Sequence, residues 1–236
     1  MPRDIAETPD FMAFDWSTGH IAECDPNFPT SLYAWDGDAL ELDIDAAFFG
    51  FVQEGEAELQ TASGRFTLKA GMYFSANEAI RVIGGRGIVI ARLGHRVFFT
   101  VGGPVEAKGR LKYIDGCTDS LLVAPIRMGD PCLNLLYFPP GIDQTSHTHP
   151  SDRIGVVHSG RGECETPDGV IALEPGVIFR IPLEGNHKFR TTDSEMRVIA
   201  YHPDSDFGPT DIDHPMINRT MVDGVSASKL DDIRTK

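Results

Sequence analysis

Residues 155–182 read GVVHSGRGECETPDGVIALEPGVIFRIP, and residues 50–77 read GFVQEGEAELQTASGRFTLKAGMYFSAN. Laid over one another without a gap, at an offset of 105, nine of the 28 pairs are identical. Four of the nine are glycines: Gly50/Gly155, Gly55/Gly160, Gly64/Gly169 and Gly71/Gly176. Glycine marks places where the backbone takes angles that other residues resist. The same glycine spacing twice therefore predicts the same series of short strands twice. A two-copy period of this length is two domains rather than a solenoid.

Each copy reads as β. In the second, residues 154–157 and 163–166 flank Ser159-Gly160 and are expected to form a hairpin. A turn at Pro167-Asp168-Gly169 leads to 170–173, and Glu174-Pro175-Gly176 leads to 177–181. Turns every 6–10 residues between short apolar runs predict an all-β barrel or sandwich. A short helix is expected only near 227–234. The division implied is an N-terminal arm (1–35), a first barrel (36–112), a second (113–220) and a tail (221–236).

Composition narrows the function. The chain has 236 residues, 41% apolar and 24% charged, which excludes disorder as the main state. The net charge is 21 − 35 = −14, without a Lys/Arg cluster. Nucleic-acid binding through phosphates needs a basic face, so it is set aside. The acids divide evenly, 18 in 1–120 and 17 in 121–236, which reads as a hydrated surface and not an acidic tail. No stretch approaches the roughly 18 apolar residues of a membrane span. No signal peptide is visible, and Cys24, Cys117, Cys132 and Cys164 form no CxxC, so reduced thiols in a cytoplasm are expected.

Six of eight histidines lie between His147 and His214. The sharpest group is Gly141-x5-His147-Thr148-His149, followed downstream by Gly176-x5-Pro182-x-x-Gly185-x-His187. Residues i and i+2 of a strand share a face, so His147 and His149 offer two imidazoles to one side. That is a common start for a metal site.

These two segments resemble the paired motifs of the cupin superfamily, Gly-x5-His-x-His-x3,4-Glu-x6-Gly and Gly-x5-Pro-x-Gly-x2-His-x3-Asn. Gly141, His147, His149 and Gly160 match the first; Gly176, Pro182 and His187 match the second, with Gly185 displaced by one and the final Asn missing. With the repeat, the resemblance implies a bicupin of two tandem jelly-roll barrels. It implies His147, His149 and His187 as metal ligands. The family's glutamate ligand would fall at position 153, where this chain has Arg153. A three-His site resembles that of the superfamily's thiol and diketone-cleaving dioxygenases. It implies Fe(II) as cofactor, with Zn, Mn, Ni or Cu as alternatives, O2 as co-substrate, and a homodimer as one assembly open to it.

Three neutral ligands leave a divalent ion at +2, and strand parity turns Arg153 toward the same side. Like charges about 6 Å apart repel by about 3 kcal/mol at an effective dielectric of 20. Such a site favours an anion, and a carboxylate suits the Arg fork. The alternative for Arg153 is an ion pair with Asp152 or Glu165. Subtracting 105 maps His147, His149, His187 and Arg153 onto Leu42, Ile44, Val82 and Phe48, so the first copy has apolar residues where the second has ligands.

Other candidates are open. His202, in 197–202, is a pocket acid/base. Tyr137, ending the apolar run 133–138, is either core or a hydroxyl in the pocket. His158 is expected to face outward, and Cys164 to be buried or a pocket thiol. Trp16 and Trp35 read as packing anchors. His214 sits in an extended Pro-rich stretch, and His20 and His95 receive no role. Rival readings are a non-redox lyase, decarboxylase or isomerase, a metabolite-binding bicupin without turnover, and a storage protein.

Overall fold

The computed structural model describes residues 7–205 and 219–233. The fold is all-β. Strands β1 (Glu7–Thr8) and β2 (Phe11–Phe14) come first, then β3 (Gly19–Cys24), β4 (Thr30–Asp36) and β5 (Leu40–Leu42). A tightly spaced run follows: β6 (Ala46–Glu54), β7 (Glu56–Thr61), β8 (Gly64–Lys69), β9 (Tyr73–Ala76), β10 (Ile80–Ile83), β11 (Arg86–Leu93) and β12 (Thr100–Gly102). After β13 (Leu111–Lys112) and a 3-10 turn at Ile114–Gly116 come β14 (Thr118–Val123), β15 (Cys132–Phe138) and β16 (Arg153–Gly160). The next strands are β17 (Gly162–Thr166), β18 (Gly169–Leu173), β19 (Ile178–Ile181), β20 (Lys188–Arg190) and β21 (Met196–His202). The hairpin β22 (Met221–Val222) and β23 (Val225–Ser226) precedes 3-10 turns at Ala227–Lys229 and Asp231–Ile233, where a helix was expected. Among the described residues no helix is long and apolar enough to cross a membrane.

Two units result, each a large sheet facing a small one. The first pairs β12-β9-β6-β11-β4-β3 with β5-β10-β7-β8; the second pairs β1-β2-β19-β16-β21-β15-β14-β13 with β18-β17-β20. The residues expected as an arm divide between them. β3 and β4 are strands of the first unit, whereas β1 and β2 extend the large sheet of the second, with Phe14 opposite Ile178. The hairpin expected across Ser159-Gly160 does not form: β16 pairs with β19 and β21, whereas β17 pairs with β18 and β20. The chain crosses from one sheet to the other at Gly160.

The repeated glycines divide by cause. Three pairs sit at matching positive φ, 73° and 72° at Gly55/Gly160, 141° and 154° at Gly64/Gly169, and 82° and 86° at Gly71/Gly176. Gly50 and Gly155 are different: a Cβ would lie 2.1 Å from Phe74 at the first, and 2.9 Å from Phe179 and 2.1 Å from the Ile199 carbonyl at the second. Phe74 and Phe179 are themselves a repeat pair, so each unit seats a ring against a bare backbone.

Three apolar clusters hold the molecule. One fills the first unit around Trp35, Phe48 and Phe74. One fills the second around Phe138, Phe179 and Phe189. The third lies between the two large sheets, with Leu32, Phe49 and Ile90 against Leu133, Ile154 and Tyr201. Phe49 meets Tyr201 with ring centroids 5.1 Å apart. Trp35 donates its indole N–H to the Gly84 carbonyl at 2.8 Å, and Trp16 donates to that of Gly176 at 2.7 Å.

The second unit also buries a polar pair. Asn134 Nδ2 donates to Asp119 Oδ2 at 2.8 Å, and Asp119 Oδ1 has no partner. Burial raises the Asp119 carboxyl from 3.8 to about 6 against the lowering effect of Asn134. A folded-state pKa above the unfolded one means the fold favours the protonated form. This contribution to stability is complete below about pH 4 and is lost as pH rises through 6. Asp119→Asn, which cannot ionise, is expected to exceed the wild type by about 2–3 kcal/mol at pH 8 and to match it at pH 4. Guanidinium midpoints at the two pH values check this.

Candidate metal centre

The two histidine-bearing segments are joined by their backbones. His147 N–H donates to the His187 carbonyl at 2.9 Å and His187 N–H to that of His147 at 3.0 Å. Glu184 N–H donates to the His149 carbonyl at 2.9 Å. The displaced Gly185 closes a turn by donating to the Pro182 carbonyl at 2.8 Å, which returns His187 to the seam. The three rings therefore converge, with centroids 5.0, 4.6 and 5.3 Å apart, and one ligand nitrogen of each within 4.8 Å of the others.

Tautomers are set locally. A carbonyl only accepts, so His147 Nδ1–H donates to Thr145 at 2.8 Å and His187 Nδ1–H to Gly185 at 3.0 Å. Both Nε2 atoms then carry free lone pairs, as metal-binding imidazoles do. Burial lowers His187 to about 4, and burial followed by the Arg153 charge lowers His149 to about 2. Both imidazoles are neutral at pH 7 and bind a cation without first losing a proton. The donor set thus fits a divalent ion, and no carboxylate belongs to the cluster among the described residues.

Arg153, opening β16 opposite Ile181, lines the same cavity. Its Nη1 donates to the Ser151 carbonyl at 3.1 Å, Ser151 Oγ at 2.6 Å and the Asp152 carbonyl at 3.1 Å. Neither expected partner takes it: Asp152 accepts from Arg180 at 2.5 Å and Glu165 from Arg190 at 2.7 Å. Asp204 lies 3.9 Å away, and the buried Nε has no partner among the described residues. His202, ending β21 opposite Cys132, also lines the cavity, and burial together with Arg153 holds it well below the usual imidazole range.

Tyr137 does not join them. Leu136 and Phe138 face the cavity, so alternation turns Tyr137 outward, where its hydroxyl donates to Glu195 at 3.2 Å. The tyrosine at the cavity is Tyr113, beside the 3-10 turn, and Gln144 lines it as well. Gln144 was readable inside the Gly141-x5-His147 spacing; Tyr113 lies in a polar connector that gives no signal. Cys164 is fully buried in the apolar core, and burial pushes its thiol far up. His158 meets the edge of Phe51 at 5.2 Å in the interface between the units. His214 lies outside the described residues. The cavity offers about 20 Å3 to the centre of a water molecule, room for very few waters as it stands. Its remaining walls are apolar, Phe179, Ile181 and Phe189 among them.

Comparison with known proteins places these features. Residues 134–202 match the family model described as a cupin domain. No curated protein matches the chain. Among solved structures it is similar to a cupin 2 conserved barrel domain protein from Leptotrichia buccalis, at 14% identity and TM-score 0.59, over 83% of this chain and 90% of that one. It is also similar to the salicylate 1,2-dioxygenase of Pseudaminobacter salicylatoxidans, at 11% identity and TM-score 0.57, over 75% of this chain and 71% of that one. At such identities the likeness is one of fold.

Proposed function

Because residues 134–202 are a cupin domain, which places the chain in the cupin superfamily, we propose that it is a metal-dependent enzyme acting on a small anionic substrate. Its best-supported reaction is Fe(II)-dependent dioxygenation, and the tandem units are its two cupin barrels. The observation carrying this reading is the three-imidazole cluster, without a carboxylate among the described residues, flanked by a guanidinium whose buried Nε is unpartnered among them. His147, His149 and His187 would hold the ion. A ligand set of three neutral imidazoles suits Fe, Zn, Ni or Cu, and when bound the ion supplies Lewis acidity and, as Fe(II), electrons for oxygen chemistry.

The remaining work falls to this chain's own groups. Arg153 lines the cavity, and its guanidinium, with Nε still unpartnered among the described residues, binds the substrate carboxylate. Phe179, Ile181 and Phe189 exclude water, which strengthens that contact. A solved variant of the salicylate 1,2-dioxygenase holds gentisate, a ring acid, in a related fold. A cavity that offers about 20 Å3 to the centre of a water molecule favours a short acid over a ring. One observation favours a second reading, non-redox lyase or isomerase chemistry: His202 adds to the cavity wall an imidazole that is not one of the three clustered histidines.

The test is oxygen consumption by Fe(II)-loaded protein against a panel of short carboxylic and thiol acids. Arg153→Ala is expected to raise KM about 10-fold or more, the worth of a charge-assisted hydrogen bond, with metal content unchanged. Turnover of the same acids without oxygen selects the second reading. No turnover of any acid in either condition refutes the enzyme.

A further inference from the structure

The first unit has apolar residues at the ligand positions. Register sets Ile80 opposite Leu42 as His187 is set opposite His147, so Ile80, not Val82, is the counterpart of His187. Yet this unit reaches the neighbourhood of Arg153 through a buried side chain. Asp25, in the turn between β3 and β4, and Asp152, beside Arg153, are 1% and 0% exposed. Their backbones and carboxylates are exchanged: Asp25 N–H donates to Asp152 Oδ2 at 2.9 Å, and Asp152 N–H donates to Asp25 Oδ2 at 2.8 Å.

We propose that Asp25 is a positioning residue for Arg153, so that the first unit sets how the second holds an anion. This rests on Arg153 being the anion-binding group. Among the described residues the hydrogen bonds of the Arg153 guanidinium go to Ser151 and Asp152, with Asp204 3.9 Å away, so the shape of that dipeptide helps fix where the guanidinium stands. Asp25 fixes that shape from outside the motif. Its own seat is firm, since Oδ1 accepts from Asn27 N–H at 2.9 Å and Phe28 N–H at 3.0 Å. The Asp152 carboxylate carries the constraint onward, accepting from Arg180 Nε at 2.5 Å and from Leu183 N–H at 2.8 Å, at the head of the loop to His187. Charge acts in the same direction. Asp25 and Asp152 face Arg180, and Asp204 lies 3.9 Å from Arg153, so the carboxylates around the guanidinium offset its repulsion from a divalent ion.

The experiment is calorimetric titration of anaerobic Fe(II)-loaded protein with acetate, together with metal analysis and a thermal scan. In Asp25→Asn an amide replaces one oxygen, and acetate is expected to bind at least about 10-fold more weakly while iron stays near wild-type content. If that variant fails to fold, Asp25→Gly serves, because Asp25 sits at φ 49°, which glycine adopts freely. Wild-type affinity in either folded variant overturns the proposal, as does loss of iron in step with acetate, or failure of both variants to fold. Arg153→Ala separates the two readings. If it binds acetate as the wild type does, or the wild type binds none, the anion reading falls and this inference with it. If it binds weakly while the Asp25 variants bind normally, only the positioning role is lost.

Discussion

His147→Ala protein is expected to come out of metal loading essentially empty under conditions that fill the wild type. Structural zinc sites with four ligands are worth about 10–16 kcal/mol, so one of three imidazoles carries on the order of 3–4 kcal/mol. Its loss lowers affinity by about 10²–10³. His147 is the informative position because its ring is half-buried whereas His187 is packed against Phe189 at 5.5 Å. The seam that joins the two segments uses only the backbone of residue 147 and survives the change. A thermal scan is therefore expected to show the apo variant unfolding close to the apo wild type. Elemental analysis after dialysis checks the result, and a full equivalent of metal in the variant would place the ion elsewhere.

The largest stability effect is expected at Phe11. This residue belongs to β2, yet its ring is fully buried in the core of the second unit and stacks on Phe179 with centroids 5.6 Å apart at 16°. Phe11→Ala removes that ring from a core with no solvent nearby, at a cost of about 3–5 kcal/mol. For a chain of this length that lowers Tm by about 10 °C. The same segment supports the candidate site, because Asp10 Oδ1 accepts from Asn186 N–H at 3.1 Å, next to His187. Weakened metal uptake should accompany the lost stability. Urea unfolding with metal titration tests both, and a cost below about 1 kcal/mol would show that β2 is dispensable.

The three-histidine cluster was legible because it needs only three local signals: an i, i+2 histidine pair, a glycine frame, and a second frame ending in His187. The inward turn of Arg153 followed from the same parity. Tyr137 was not legible. All seven residues of Cys132–Phe138 are buried, because one face meets the core of the second unit at Leu136 and Phe138 and the other meets the first unit at Leu133 and Leu135. A strand buried on both faces shows no alternation from which to take a direction. The extent of the first unit was hidden by insertions. By register, Phe49, Ile90 and Leu32 correspond to Ile154, Tyr201 and Leu133, at offsets of 105, 111 and 101, so an ungapped comparison loses β3, β4 and β11. The placement of β2 beside β19 leaves no trace in a single sequence, because its pattern FMAF reads the same in either unit.

That placement has a consequence for biosynthesis. Phe14 precedes its partner Ile178 by 178 − 14 = 164 residues. At roughly 5–20 residues per second a ribosome takes about 8–33 s to bridge that gap. Strands β3 to β12 are all translated within it and can pair with one another. The β1–β2 hairpin, first in the described chain, is thus among the latest to dock. The wall of the second unit behind Phe179, and the Asp10 acceptor for the His187 loop, are completed only after most of the polypeptide has emerged.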